Sequence, residues 1–408
     1  MSPRATHTAG VNVALLTVGL DAVGIGIIFP VMPDLMLSMG VQSVSDAALW
    51  GGLLATLYAL MQLLCSPLLG ALSDRFGRRP VMLSSLFAMA IDYVVLSAAS
   101  ALWVLLVGRA IAGIMGATYA TASAYIADVS PPAERARRFG FIGAVFGLGF
   151  VMGPALGGLV GEWHVRGPFM LAAVLAAANG LLAYFYFSET LPVASRRLFS
   201  WRRANPFGAL RRALSLPALR WLLVGYLLLE LGNHVYPSVW SYWSKSTFNW
   251  SVTMIGISLA AYGIGLVVVQ GTLVRPVVKR LGEPRTILVG LTMGALAAFS
   301  FGFAGVDWLV FALIPFAALS DLAGPALTSL MSARVEANEQ GELQGVLASL
   351  TALASVAMPP LATYLFYTFT RDAALLHFPG APFVLSGLFI AVAIPLMWRT
   401  LFRNPGVT

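Results

Sequence analysis

Four carboxylic acids stand inside long apolar runs of the chain: Asp21, Asp92, Glu230 and Asp321. On insertion scales an ionised side chain at the centre of a membrane helix costs ~2.5–3.5 kcal/mol unless something compensates it. Each such residue is therefore a candidate for function. A carboxyl removed from bulk water favours its neutral form, and a nearby cation favours the charged one. An acid so placed can trade a proton for a cargo. Arg109 lies in a comparable setting, Leu105-x-x-x-Arg109-x-x-x-Gly113, and needs a carboxylate or several carbonyl oxygens as partners. Glu230, Asn233 and His234 fall within about one helical turn, and Trp240 follows with Tyr236, Tyr242, Trp243 and Trp250. Acids beside aromatic faces favour a cationic or amphipathic ligand, which makes Asn233, His234 and Trp240 candidate contacts. Trp243 and Trp250 are expected in the aromatic belt where membrane meets water.

The elements that position these groups follow from hydropathy. Of 408 residues, 59% are hydrophobic and only 10% charged, where soluble domains carry about 25% charged residues. A spanning helix needs about 20 apolar residues, and that length predicts twelve spans. Six lie before residue 190, and six run from 219 to the end. Counted at ~1.5 Å per residue, all four acids fall near the middle of their spans. Of the 25 basic residues, 21 fall in segments on one side if both termini are cytoplasmic. Arg166, Lys245 and Arg371 are left outside, and Arg109 lies within a span. That bias is the positive-inside pattern. The net charge of +8 is thus read as topology and not as a surface for nucleic acid. The single cysteine, Cys65, excludes an intramolecular disulfide and a thiolate metal cluster.

Residues 191–218 carry Pro192, Pro206, Pro217 and a cluster of arginines, and read as a cytoplasmic linker between bundles at 1–190 and 219–408. An internal repeat supports the division: Gly140 to Gly153-Pro154 covers the same distance as Gly345 to Met358-Pro359. Two parallel six-helix repeats are one of the known transporter plans, with cargo and coupling ions bound near the midplane. The expected fold is all-α, with twelve transmembrane helices in two pseudo-symmetric six-helix bundles.

Two motifs have mechanical content. Between the second and third spans runs Gly70-Ala71-Leu72-Ser73-Asp74-Arg75-Phe76-Gly77-Arg78-Arg79-Pro80. Glycine allows a tight turn, and an aspartate among arginines can cap a helix or form an ion pair that holds one conformation. On the fifth span, Gly149-x-x-x-Gly153-Pro154-x-x-Gly157-Gly158 lets a neighbouring backbone approach closely, and its proline removes a backbone hydrogen bond.

The first motif matches the loop signature of the major facilitator superfamily, and the second resembles the antiporter motif of its exporters. Leu20-Asp21-Ala22-Val23-Gly24-Ile25-Gly26, Leu57-Tyr58-Ala59-Leu60-Met61-Gln62, Asp92-Tyr93, Ala124-Tyr125-Ile126-Ala127-Asp128 and Gly341-Glu342-Leu343-Gln344-Gly345 resemble tetracycline efflux antiporters. The resemblance implies a drug:proton antiporter of a bacterial inner membrane, with protons as coupling ion and no cofactor. It implies coupling and cargo roles for Asp21 and Asp92, a motif role in proton transfer for Arg109, and a cavity-facing Gln62. It further implies a cytoplasmic gating network of Asp74, Arg78 and Asp128, the first two in the loop that also holds Gly70, Arg75, Gly77 and Arg79. The family's acid in the ninth span corresponds to Gly294 here, while Glu230 and Asp321 stand elsewhere; drug or tetracycline-like efflux is the expected function, with tetracycline itself put in doubt by these departures. A membrane enzyme is disfavoured because none of His7, His164, His234 and His377 neighbours a nucleophile pattern. No loop is long enough for a receptor's signalling domain. The remaining alternative is a proton symporter or facilitator for a small metabolite on the same fold. A monomer in the bilayer is expected.

Overall fold

The computed structural model describes residues 3–116, 118–196, 219–336 and 339–403. Its regular structure is helical, with no strand among the described residues. Ten runs are long and apolar enough to cross a membrane. One of them, Val252–Gly302, holds two helices that part at Gly282, where the backbone turns to φ 76°. The helix Arg220–Phe248 is 29 residues long but more polar, because it carries Glu230, Asn233 and His234. Together these make the twelve helices of the expected fold: α1 (Gly10–Ser38), α2 (Val44–Phe76), α3 (Arg78–Ala98), α4 (Leu102–Val129), α5 (Pro132–Trp163) and α6 (Gly167–Tyr186). Then come α7 (Arg220–Phe248), α8 and α9 within Val252–Gly302, α10 (Asp307–Ser332), α11 (Gln340–Thr370) and α12 (Ala381–Phe402).

Several helices overrun the apolar stretches that announce them. α2 reaches Phe76, for example, because polar residues extend a helix beyond the hydrocarbon without breaking it. Large apolar side chains face outward, among them Ile91, Val174, Phe185 and Leu388. In water such a surface would aggregate. Against lipid it is the expected exterior of a multi-pass membrane protein.

The chain forms two compact units. The first comprises Met1–Met39, Leu57–Pro206 and Ser251–Ala260. Its core centres on Val18, Met82, Leu86, Tyr125, Ile142 and Phe187. The second comprises Gly40–Thr56, Phe207–Trp250 and Ala261–Thr408, with Leu222, Ile287, Leu327, Val346, Leu350 and Met397 in its core. The opening turns of α2 therefore pack with the second unit, and those of α8 with the first. Most of the expected linker, residues 197–218, lies outside the described residues.

Candidate functional site

In the first unit the apolar packing encloses one ion pair. Arg109 of α4 donates from Nη2 to Asp92 Oδ2 of α3 at 2.9 Å. The Asp92 side chain is wholly buried and that of Arg109 is 16% exposed. The second oxygen, Asp92 Oδ1, has no hydrogen-bond partner among the described residues. A methyl built on Gly108 would lie 2.6 Å from that oxygen, so the glycine beside Arg109 makes room for the carboxylate. The Arg109 guanidinium also stands 5.9 Å from the Tyr58 ring centroid. Asp21 on α1 is half-buried and lies within electrostatic reach of Tyr58 and Tyr93.

Gln62 takes its place for a structural reason. α4 breaks after Met115, and its second part resumes at Thr118. A break at membrane depth frees a backbone carbonyl that must find another donor. Gln62 Nε2 donates to Gly116 O at 3.0 Å, with Tyr58 Oη 3.4 Å away.

The second unit repeats the arrangement with different chemistry. α10 is interrupted by a 3-10 turn at Ser320–Leu322, and Asp321 sits in that turn. Tyr262 of α8 donates its hydroxyl to Asp321 Oδ2 at 2.9 Å. The fourth helix of each six-helix repeat is thus broken, and in each the second helix supplies the side-chain hydrogen bond at the break. Tyr58 stands 19 residues before Gly77 (φ 109°), and Tyr262 stands 20 before Gly282 (φ 76°). The π turn Val269–Leu273 in α8 accommodates the extra residue. Discontinuous helices at corresponding positions of two repeats are the feature that marks binding sites in transporters.

Glu230 on α7 lies within electrostatic reach of Asp321. His234 is turned back along its own helix, with Nδ1 2.8 Å from Glu230 O and 3.9 Å from Glu230 Oε2. Asn233 is half-buried on the same turn. Trp240 is packed away: only 6% exposed, it meets Tyr236, Trp243, Phe301 and Phe383 ring to ring. Trp243 and Trp250 are likewise buried, not spread along the membrane interface as anticipated. Their apolar rings find partners in Phe383 and Phe311 from distant helices. At Gly294 a methyl would lie 3.1 Å from Ser320 Cβ, so α9 closes tightly on the broken turn of α10. A carboxylate side chain at 294 would press on the residue next to Asp321.

The loop motif gathers around Arg78. It bonds Asp74 at 2.7 Å, Asp128 at 3.1 Å and Ser73 Oγ at 3.2 Å. Thr190 Oγ1 adds a bond to Asp128 at 3.3 Å. Arg75 lies over the Phe76 ring, and Arg79 donates to Tyr184 O. Gly70 has open space around it. Sequence reasoning missed Glu189, whose carboxylate accepts from the backbone N–H groups of Arg78 and Arg79 and so caps α3. Its only sequence signal is an acid directly after α6, where positive loops predominate.

Gly77 is required twice over. Its φ of 109° and ψ of 163° belong to a region open almost only to glycine, and a methyl there would strike the Glu189 carboxylate. Gly77→Ala is expected to cost about 1–3 kcal/mol and to lower the thermal midpoint of the purified protein. Gly70→Ala should leave that midpoint unchanged.

The α5 motif fits against α1. Methyls on Gly149, Gly153 and Gly157 would lie 2.4, 2.7 and 2.1 Å from the carbonyl oxygens of Gly19, Val23 and Ile27. Those carbonyls bracket Asp21, so the motif fixes the depth and rotation of the helix that carries this acid. Gly158, beside Pro154 on the same helix, instead meets the start of α8 at Val252 O and the Gly256 backbone.

The chain matches the Major Facilitator Superfamily over residues 14–242 and 222–408. It is 41% identical over 387 residues to a protein of Escherichia coli named tetracycline resistance protein, class C, covering 95% of this chain and 96% of that one. A tetracycline resistance protein of class G from Vibrio anguillarum is 38% identical, again over 95% and 96% of the two chains. Among solved structures, a bacterial homologue of the human lysosomal transporter Spinster, inward-facing and unoccupied, superposes with a TM-score of 0.78 at 17% identity over 99% of both chains.

Proposed function

The chain belongs to the Major Facilitator Superfamily, and from that premise we propose that it is a proton-coupled antiporter that exports small organic molecules by alternating access. The observation that carries this reading is the buried pair Arg109–Asp92 with one carboxylate oxygen unengaged, sharing Tyr58 and Tyr93 as neighbours with Asp21 and borne on the helix that breaks after Met115. A buried ion pair whose acid has an open acceptor is a place to take up and release H⁺ within a low-dielectric interior. The tetracycline resistance relatives favour efflux, and the α5 motif agrees with it.

In this reading the two bundles are residues 1–190 and 219–408, joined by 191–218, with both termini on the cytoplasmic side of a bacterial inner membrane. One chain acts alone. Protons arriving from outside neutralise one or more of Asp21, Asp92, Glu230 and Asp321, and cargo leaves outward. Asp92 Oδ1 is the atom at which the first-unit proton would be held. Arg109 supplies the positive charge that returns Asp92 to its carboxylate form. Asp74, Arg75, Arg78, Arg79 and Asp128 hold the cytoplasmic gate, with Gly70 and Gly77 shaping the loop and the α5 glycines and Pro154 setting the helix contacts.

Glu230 and Asp321 bear on which cargo the second unit would select. Asp92 has an arginine partner, whereas the interactions resolved for Glu230 and Asp321 are with tyrosines, each other and His234. Two acids without an arginine or lysine beside them among the described residues favour a cargo that brings its own positive charge. Asp21, Gln62, Asn233 and His234 would complete the contacts. Trp240 would act through the packing of α7.

The test is transport in proteoliposomes under an imposed pH gradient, offered a tetracycline, a cationic dye and a zwitterionic metabolite. The reading expects proton-linked movement of the dye. Glu230→Gln should weaken the dye by about tenfold, the scale of one desolvated charge contact, and leave an uncharged cargo within twofold. Equal loss for all cargoes would remove Glu230 from cargo selection.

A further inference from the structure

The start of α8 packs on the far end of α5, within the first unit, and the contact includes a charge. Glu162, in the last turn of α5, accepts a hydrogen bond from the backbone N–H of Thr253 at 3.1 Å. Thr253 belongs to the first turn of α8, where backbone donors have no partner inside the helix. Ser251 Oγ accepts from Met254 N at 3.3 Å as the helix's own cap, and the Glu162 carboxylate takes the neighbouring donor. A carboxylate at a helix N-terminus is favoured by the helix dipole as well as by the hydrogen bond.

The backbone around this bond is close-packed. Thr253 Oγ1 donates to Gly158 O at 3.2 Å. A methyl on Gly256 would lie 2.5 Å from Pro154 O, and one on Gly161 would lie 2.9 Å from Val252 Cγ1. α5 and α8 come from different six-helix repeats, so an exporter that opens outward must part this seam in every cycle. The glycine contacts are short-ranged and are lost with a small displacement. An ion–dipole bond persists further and is directional.

We propose that Glu162 is a positioning residue for transport, an outer latch whose carboxylate holds the first turn of α8 against α5 and sets how often the protein opens outward. This rests on the alternating-access reading and on its assignment of the α5 end to the outer side. Glu162 lies at an exposed end of the helix, remote in sequence from the acids proposed for coupling, and contacts no cargo in this scheme.

The experiment uses the full chain with Cys65→Ser and spin labels at Ser100→Cys and Leu375→Cys, both exposed and lying in outer loops of different repeats. Glu162→Gln should raise the population at the longer distance by about two- to fivefold, the scale of a carboxylate at a helix N-terminus. Thr253→Pro removes the donated N–H at a position where a helix tolerates proline, and should do the same. Thr253→Val keeps the N–H and should shift the population by less than Thr253→Pro. Combining Glu162→Gln with Thr253→Pro should add nothing beyond the larger single effect, and the KM for cargo should stay unchanged in Glu162→Gln while kcat moves. An unaltered distance distribution in Glu162→Gln, or additive effects in the double variant, would overturn the latch. A distribution that no cargo, proton gradient or variant moves would instead overturn alternating access itself.

Discussion

Arg109→Ala will leave the first unit with a buried carboxylate and no counter-charge, and the variant should lose about 3–5 kcal/mol of stability, the usual cost of breaking a buried pair from one side. Asp92 has no side-chain exposure through which water could replace the guanidinium. Its Oδ1 already lacks a hydrogen bond, so Oδ2 would become a second unsatisfied oxygen. Asp92→Asn alone should cost less, because Arg109 keeps some exposure and the Tyr58 ring face. The informative variant is the double replacement Asp92→Asn with Arg109→Gln. Removing both charges together removes the desolvation penalty on both sides, and the two amides can keep one hydrogen bond where the ion pair stood, so the net change in stability is small. The double variant should therefore melt within a few degrees of the unmodified protein, followed by tryptophan fluorescence in detergent. Gradient-driven transport should remain absent. If the double variant both folds and keeps proton coupling, the pair is scaffolding and the coupling acid lies elsewhere.

The same pair illustrates how far residue types alone lead. An arginine within an apolar run predicts a carboxylate partner, and Asp92 supplies it. The twelve helices were legible for a related reason, since hydrocarbon thickness imposes a length that composition reveals. The breaks in α4 and α10 were not. No proline marks Gly116; Pro325, which cannot bond the carbonyl of Asp321 four residues back, does mark the Ser320–Leu322 turn, but prolines are common in membrane helices, and each break is sustained by a side chain from another helix, Gln62 or Tyr262. Local propensity cannot report a hydrogen bond to a residue more than fifty positions away. The tryptophans show the opposite error. Trp243 and Trp250 have the amphipathic rings of an interface belt, but Phe383 and Phe311 bury them, and those partners lie 61 or more positions further along. Glu189 was hidden for a third reason: its role depends on the odd backbone of Gly77, which no side chain pattern displays.

The two repeats also divide their chemistry. In the first, an arginine compensates the acid of the third helix, and glutamine serves the broken helix. In the second, the broken helix carries its own acid and a tyrosine serves it. The tight contact between Gly294 and Ser320 leaves little room for a larger side chain at this point of the ninth helix. With Asp321 in the adjacent turn, a second carboxylate at 294 would crowd both the packing and the charge. In the function proposed above, this asymmetry would place proton return in the repeat whose acid has an arginine partner, and recognition of cargo charge in the repeat whose acids have none among the described residues.

Asp21→Asn separates coupling from binding most cleanly. Asp21 is half-buried on a helix held by three close glycine contacts from α5, so the amide should be accommodated without moving the backbone. Asparagine keeps the size and the hydrogen-bonding reach of the acid but cannot exchange a proton. In vesicles with one pH unit imposed, a carrier that exchanges one proton for one singly charged cationic cargo, an electroneutral exchange, can sustain about a tenfold concentration ratio, since one unit corresponds to 1.36 kcal/mol. The variant should bring that ratio to about one while cargo still equilibrates and labelled cargo still exchanges across the membrane. Such a result means that the α1 acid couples the cycle to the gradient and is dispensable for the conformational change. An unchanged ratio would take Asp21 out of the proton path and leave Asp92, Glu230 and Asp321 to carry it. Loss of exchange together with the gradient response would mean that Asp21 is needed to hold cargo, so that proton and cargo compete for a single carboxylate.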